Sequence, residues 1–242
     1  MKKLVPLSNT QHKDLKIDLS KAALHGKNTN IVPIIPNEFP NAAVEYPIVL
    51  TKSEKTGQYK TCVVLGFERE ENLFFQEEHW DALYLPLQIQ RQPFFAGNPE
   101  DLNLENNGDY IVCIDQDSPT VSETEGQALF NEDGSDTEFF TKAKELLAEL
   151  LNGEHSTANF VAQLEQYDLI QPMNTEIAFV NDTKVNLNGL YTISQKKLAE
   201  LSDEDYLALR KTNYLQAIYI MLTSINHLYR LIEKKNRLIE QQ

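Results

Sequence analysis

The chain has little cysteine and no long apolar run, and each shortage excludes a class of protein. Two cysteines among 242 residues exclude a disulfide-rich scaffold. Cys62 and Cys113 each lie in an apolar, strand-like stretch, so we expect two buried, reduced thiols rather than a disulfide or a reactive site. No segment reaches the roughly 18–20 consecutive apolar residues that a bilayer requires, so we expect no membrane insertion. The N-terminus turns polar at Ser8, too early for a secretory signal, which predicts a cytoplasmic chain.

Basic residues are also scarce. The 22 lysines and arginines face 36 acidic residues, a formal charge of −14, which argues against nucleic-acid binding because phosphates attract basic surfaces. Residues 92–141 contain no lysine or arginine and hold 12 carboxylates: Glu100, Asp101, Glu105, Asp109, Asp115, Asp117, Glu123, Glu125, Glu132, Asp133, Asp136 and Glu138. A solvated acidic face is the simplest interpretation of residues 100–138. A cation-binding module, or a contact for a basic partner, is the alternative, although the calcium-loop pattern fails from Asp115 onward.

Recognisable catalytic motifs are missing as well. The nine glycines are scattered singly, so no glycine-rich phosphate loop is present. The five histidines lie far apart and form no metal-ligand spacing: His12, His25, His79, His155 and His227. We therefore predict no metal site, no cofactor and no catalytic residue. A metal site whose ligands come together only in the folded chain remains an alternative at this point.

The order of the predicted elements favours an α+β fold. Strand patterns fall at residues 46–51 and 59–67, which form a predicted hairpin, and at 72–75, 83–89 and 109–115. Helical periodicity follows at 139–151, where Gly153 is the expected end, then at 157–164 and 194–201. We predict a β-rich part, 1–138, packed with a mainly helical part, 139–242. No linker divides them, so we expect a single unit over 1–242.

The last predicted helix covers about residues 212–240. Two rows of residues recur every seven positions along it, as in a coiled-coil seam: Leu215, Leu222, Tyr229 and Asn236; Ile218, Ile225, Ile232 and Ile239. Further apolar residues widen this surface, which favours packing within the chain for the first part of the helix. A homodimer through the C-terminal helix is the alternative.

Aromatic residues concentrate at 72–95, which contains the chain's only tryptophan. Aromatic rings supply contact area and a guanidinium binds carboxylates as a fork, so such a cluster suits recognition. We predict a ligand or partner surface formed by His79, Trp80, Tyr84, Arg91 and Phe94. An aromatic core with Arg91 at its rim is the alternative.

The same stretch resembles the central signature of the SapC family. The similar residues there are Asn72-Leu-Phe74, Trp80, Tyr84-x-Pro86 and Pro93-Phe94. Others precede them, at Val5-Pro-Leu7, His12, Leu15, Val32-Pro33, Glu38-Phe39, Ala42-Ala43 and Tyr46-Pro-Ile-Val49. The match continues at Glu125-Gly126, Leu129-Phe130, Gly134 and Leu187-x-Gly189-x-Tyr191, so it spans nearly the whole chain.

The resemblance implies a bacterial surface-array (S-layer) association. Family members also occur beside genes for TonB-dependent receptors and tryptophan-halogenase-like proteins in Gram-negative bacteria. The first functional hypothesis is therefore a non-catalytic accessory or interaction protein, with a protein partner, linked to surface-layer or outer-membrane uptake. The second is an enzyme, or an enzyme's accessory subunit, acting on a small molecule or peptide in a halogenase- or uptake-linked pathway.

Overall fold

The computed structural model describes residues 4–99 and 110–241. These residues form two compact units, each assembled from two separate stretches of chain. The first unit comprises the described residues of Met1–Gly26 and Leu87–Asn152. The second comprises the described residues of Lys27–Pro86 and Gly153–Gln242. That the whole chain acts as a single unit stays a prediction.

Runs of short strands are separated by helices, and a run of helices follows the last strand. The strands are β1 (Leu4–Pro6), β2 (Lys16–Ile17), β3 (Ile31–Pro33), β4 (Ile48–Lys52), β5 (Tyr59–Val64), β6 (Phe75–Gln76), β7 (His79–Trp80), β8 (Phe94–Gly97), β9 (Ile111–Asp115), β10 (Val121–Ser122), β11 (Gln127–Ala128), β12 (Ile170–Pro172), β13 (Glu176–Ala178), β14 (Lys184–Asn186) and β15 (Leu190–Ile193). The α-helices are α1 (Phe39–Ala42), α2 (Leu87–Gln90), α3 (Glu138–Gln166), α4 (Gln195–Ala199), α5 (Asp203–Lys211), α6 (Tyr214–Ser224) and α7 (His227–Glu240); Leu19–Gly26 and Pro36–Glu38 are 3₁₀ helices. This composition confirms the predicted α+β class, with helix concentrated toward the C-terminus.

The second unit is built on a five-stranded antiparallel sheet in the order β12-β15-β4-β5-β3. The predicted hairpin is confirmed, because β4 and β5 pair from Ile48 with Val63 to Lys52 with Tyr59. Strand β4 begins with three fully buried apolar residues, as expected for a strand covered on both faces. Helix α6 packs against β4 and β15.

The first unit contains two three-stranded antiparallel sheets, β1-β9-β8 and β10-β2-β11. Strand β9 confirms the strand predicted near residues 109–115. The core of this unit is apolar and rich in phenylalanine: Ile17, Phe94, Ile114, Leu129, Phe130, Phe140 and Leu147. Phe140 contacts two of these rings, with centroids 5.7 Å from Phe94 and 5.4 Å from Phe130.

Two predicted strands are wrong. Residues 72–74 form a turn that leads into β6 at Phe75, because the Asn72 side chain accepts a hydrogen bond from the Phe74 amide (2.8 Å) and closes the chain locally. Residues 83–89 form a loop followed by α2. Pro86 lacks an amide proton for a sheet ladder but suits the residue before a helix, and the Arg91 amide donates to the Leu87 carbonyl (2.9 Å).

Gly153 does not end a helix, contrary to the prediction, because α3 continues through it to Gln166. A Cβ at this position would lie 2.4 Å from Ile35 Cδ1 and 2.7 Å from Ile35 Cβ. Ile35 is buried, so the glycine allows the helix backbone to approach it closely. A close approach, rather than a helix stop, explains the residue.

The predicted C-terminal helix is two helices, α6 and α7, with a turn at residues 225–226. Ser224 Oγ donates to the Met221 carbonyl (2.7 Å) and accepts from the Ile48 amide (2.9 Å). A serine that bonds back to its own helix and outward to a strand competes with the helical ladder, which accounts for the break. Ile218, from one of the two rows that recur every seven positions, is fully buried within the chain, which agrees with the packing predicted for the first part of the helix.

Candidate partner-binding surface

The residues predicted to form a contact surface divide between the two units. His79, Trp80 and Tyr84 belong to the second unit, and Arg91 and Phe94 belong to the first. The structure therefore describes two local arrangements, one around Trp80 and one around Arg91.

Strands β6 and β7 place His79 and Trp80 on a small hairpin. The two residues of its turn, Glu77 and Glu78, have φ of 49° and 65°. Two successive left-handed residues are the requirement of a type I′ turn, which normally selects asparagine and glycine. Both glutamates are exposed, and His79 Nδ1 donates to the Glu77 carbonyl (2.7 Å). The hairpin thus presents an acidic tip on a backbone that glutamate rarely adopts.

A chain of hydrogen bonds through Tyr46 holds Trp80 and Tyr84 together. Trp80 Nε1 donates to the Tyr46 hydroxyl (2.8 Å), and that hydroxyl donates to the Tyr84 carbonyl. Tyr46 is fully buried and stacks edge-on against Phe74, with ring centroids 4.7 Å apart. Burial raises the pKa of Tyr46 far above its ordinary value, so the hydroxyl keeps its proton and remains a donor.

Two buried carboxylates fix the loop that follows Trp80. Glu38 Oε1 accepts from the Tyr84 hydroxyl (2.9 Å), and Glu38 Oε2 accepts from the Ile35 amide (2.9 Å). Glu45 Oε2 accepts from the Leu83 amide (2.6 Å), and Glu45 Oε1 lies 3.5 Å from Arg230 Nη1. A carboxylate that accepts backbone amides in a buried setting makes a strong, directional bond, so the loop is held at both Leu83 and Tyr84.

This fixed loop exposes an apolar side chain. Leu83 is 91% exposed, and Val44, beside the Glu45 that holds the Leu83 amide, is 58% exposed. We define Val44, His79, Trp80 and Leu83 as the Trp80 surface. Its half-buried tryptophan, exposed leucine and rigid backbone have the character of an interaction site, because little conformational entropy is left to lose on binding.

The C-terminal helix α7 supports the Trp80 surface with its basic side. Lys234 pairs with Asp81, and its ammonium lies 4.9 Å from the centroid of the Phe74 ring. One turn earlier, Arg230 reaches Glu45 and lies 6.0 Å from the same ring. The Lys234 pair lowers the pKa of Asp81, chiefly through its hydrogen bond, so that carboxylate stays ionised.

Sequence reasoning missed these supporting residues. Along the chain, Tyr46 lies 34 residues from its partner Trp80, Glu45 lies 38 from Leu83, and Glu38 lies 46 from Tyr84. Arg230 lies 185 residues from Glu45. A usable signal was the pair of glutamates next to apolar runs, since a glutamate flanked by core residues needs a buried donor. Their partners could not be read from local spacing.

In the first unit, the guanidinium of Arg91 makes contacts within the chain. Nε donates to Gln88 Oε1 (2.8 Å), Nη1 donates to the Phe94 carbonyl (2.7 Å), and the group lies 4.2 Å from the centroid of the Phe95 ring. Phe94 is 2% exposed and belongs to the core described above. The contact role of Arg91 and Phe94 stays a prediction.

A serine–histidine pair also lies in the first unit. Ser118 Oγ is 3.1 Å from His25 Nε2 and 2.7 Å from Thr120 Oγ1. The Thr120 amide donates to the same Oγ (3.2 Å), as in a serine-closed turn. Ser118 is 7% exposed. Local sequence patterns could not predict this pair, because 93 residues separate its members.

The acidic region was predicted to be a solvated face, with cation binding as the alternative. Among residues 4–99 and 110–241, no group of three histidine, cysteine or acidic side chains is placed to hold a metal ion. Four carboxylates of the predicted acidic face, Glu100, Asp101, Glu105 and Asp109, lie outside the described residues, so the cation-binding alternative stays a prediction.

Cys62 and Cys113 are free and buried, as predicted. Burial raises the pKa of Cys62 to about 11, which keeps its thiol protonated at neutral pH.

Two further findings bear on the predicted absence of a membrane span and on the family of the chain. None of the helices formed by the described residues has the length and apolar character needed to cross a bilayer. No curated protein and no solved structure matches the chain significantly. A family model, SapC, matches residues 7–231 of the 242, which covers the Trp80 surface and most of the residues that support it. The chain belongs to the SapC family.

Proposed function

We propose that this SapC-family chain is a non-catalytic accessory protein that binds a protein partner through the Trp80 surface. The exposure of Leu83 carries the proposal. Leu83 is 91% exposed, and buried Glu45 holds its backbone amide, so the loop presents this side chain to solvent in a fixed position. Burial of such a side chain in a partner's pocket contributes about 1.5–3 kcal/mol of binding free energy.

The partner we propose belongs to a bacterial surface-layer or outer-membrane uptake system. The support is family membership, together with a surface that combines a tryptophan, a histidine and exposed aliphatic side chains. The cytoplasmic location predicted from the sequence belongs to the same proposal, as the place where the partner is met before assembly.

Leu83→Asp is expected to weaken partner binding at least about tenfold, because the partner's apolar pocket would have to desolvate a carboxylate. Wild type and variant are used as bait for native lysates, and the partner identified with wild type is then titrated in purified form. Val180→Asp is the matched control, since Val180 is 53% exposed in the same unit but outside the Trp80 surface. Equal binding by both variants would contradict the proposal.

The serine–histidine pair favours an enzyme as the second candidate. A hydroxyl within hydrogen-bond reach of an imidazole is the arrangement by which serine becomes a nucleophile toward an ester or peptide carbonyl. Ser118 is buried, however, and its oxygen already closes a turn with Thr120. We therefore place this candidate second.

A fluorophosphonate probe separates the two candidates. Under the first proposal we expect no adduct on Ser118, because its oxygen is buried and committed to the turn. The measurement is the intact mass of the treated chain, followed by peptide mapping. An adduct on Ser118 that disappears in His25→Ala would favour the enzyme and count against a purely non-catalytic role.

A homodimer through α7 also stays a proposal. Tyr229, from one of the two rows that recur every seven positions, is 73% exposed on this helix. Its side chain is therefore accessible to a second copy of the chain. Asn236, however, accepts a hydrogen bond from the Val180 amide (3.1 Å) within the chain. Sedimentation equilibrium at tens of micromolar distinguishes a monomer from a dimer.

A further inference from the structure

We infer that the groove formed by α4, α5 and α6 in the second unit binds small organic cations with an apolar body. The groove has a volume of about 680 Å³. That size falls within the range of ligand-binding clefts in proteins. Its lining shares no residue with the Trp80 surface and has a different chemistry.

The floor of the groove is aliphatic. Leu198, Leu201 and Leu222 line it, and Leu198 is 5% exposed. An alkyl chain or a phenyl ring that enters the groove would therefore replace water on an apolar surface, which is favourable. This floor supplies affinity for the body of a ligand but no charge preference.

Two tyrosines form one wall. The hydroxyls of Tyr206 and Tyr219 are 3.2 Å apart and hydrogen-bonded, which holds the two phenols in a fixed relation. Tyr219 is nonetheless 47% exposed, so its ring remains accessible. The face of a phenol ring attracts an ammonium or quaternary nitrogen through its quadrupole.

The charge of the lining selects a cation. Asp203 lines the groove, and none of its described lining residues is a lysine or arginine. The Asp203 carboxylate makes no ion pair or hydrogen bond with the side chains and backbone that the structure describes. The lysines nearest in sequence are engaged, Lys196 with Glu200 at 3.9 Å and Lys197 with Asp168.

The first turn of α5 strengthens that preference. It carries Asp203, Glu204 and Asp205, whose three negative charges outweigh the partial positive charge of about half a unit at a helix N-terminus. An anionic ligand would meet this field unfavourably. A carboxylate, an aromatic wall and an apolar floor together constitute a recognition site for an amphipathic ammonium ion.

Phenethylammonium and 2-phenylethanol are the probes, because they share a body and differ mainly in charge. Amide chemical shifts of the full chain are followed by NMR during titration with each. We expect saturable shifts in residues 195–206 and 219–226 and an affinity for the cation at least about threefold higher than for the alcohol. Added salt should reduce this difference, since the groove is open to solvent.

Asp203→Asn is expected to abolish the preference for the cation while leaving the weak binding of the alcohol. Glu204→Gln is the matched control, because Glu204 occupies the same turn of α5 but does not line the groove, and it should retain most of the preference. Equal affinity for both probes in the wild type, no saturable binding of either, or a preference that survives in Asp203→Asn would each overturn the inference.

Discussion

Replacement of Gly126 by alanine is expected to lower the free energy of unfolding by about 3–5 kcal/mol. Gly126 has φ of +103°, a conformation that costs alanine energy before any contact is considered. A Cβ there would also lie 2.3 Å from the Ile17 carbonyl oxygen and 2.7 Å from the Asp18 amide nitrogen. These are backbone atoms of β2 and its continuation, so relief requires β2 to move away from β11.

Gly134→Ala is the control for Gly126→Ala. Gly134 belongs to the same unit and has φ of +82°, but the nearest atom to an added Cβ is Asn9 Nδ2 at 3.6 Å, an ordinary contact. It should lose about 1–2 kcal/mol from backbone strain alone. Urea denaturation followed by circular dichroism measures both. Similar losses in the two variants would show that the close approach to β2 contributes nothing.

Tyr46→Phe is expected to destabilise the chain by about 2–4 kcal/mol, because the lost hydroxyl removes two hydrogen bonds, one from the Trp80 indole and one to the Tyr84 carbonyl. The ring itself is retained, so its packing against Phe74 should persist. Trp80 is the only tryptophan, and its fluorescence therefore reports directly on the Trp80 surface. Its emission should shift to longer wavelength and become easier to quench with acrylamide.

Tyr59→Phe is the matched control for Tyr46→Phe. Tyr59 lies on β5 and stacks on Tyr191 with centroids 5.0 Å apart, and its hydroxyl makes no hydrogen bond with the described residues. Its loss should change stability by less than about 0.5 kcal/mol and leave Trp80 emission unchanged. Unchanged Trp80 emission in Tyr46→Phe would mean that the hydroxyl does not position the tryptophan.

Local patterns predicted much of the secondary structure because their causes are local. The two apolar runs and the turn residues of the β4–β5 hairpin require only neighbours along the chain. The same kind of local cause places the start of α5, where the Ser202 hydroxyl accepts from the Asp205 amide (3.1 Å). The predicted hairpin is confirmed.

Predictions failed where a distant residue decides the outcome. Gly153 has the local character of a helix stop, but Ile35 determines why a glycine occupies that position. Ser224 suits a helix surface, but the amide of Ile48 determines where that helix breaks. Gly126 was identifiable as part of the family resemblance, and only the approach to Ile17 gives it a physical reason.

The candidate site shows the same division. Trp80 and Tyr84 were predicted from their local density of aromatic residues. Their placement depends on Tyr46, Glu38 and Glu45, whose side chains act across 34–46 residues of sequence. The groove formed by α4, α5 and α6 has no sequence signature, because its lining residues are scattered between positions 195 and 226.

By itself, the sequence determined the α+β class, the β4–β5 hairpin and the aromatic content of the candidate surface, and it carried the resemblance to the SapC family. The class, the hairpin and the aromatic content follow from periodicity, turn chemistry and composition, which act over a few residues. Only the tertiary structure decided that Leu83 is exposed on a fixed loop, that Glu38 and Glu45 are the buried acceptors holding it, and that Gly126 and Gly153 permit close contacts. The physical reason is that burial and hydrogen-bond satisfaction depend on which distant segments meet, and a single sequence does not encode those meetings in its local pattern.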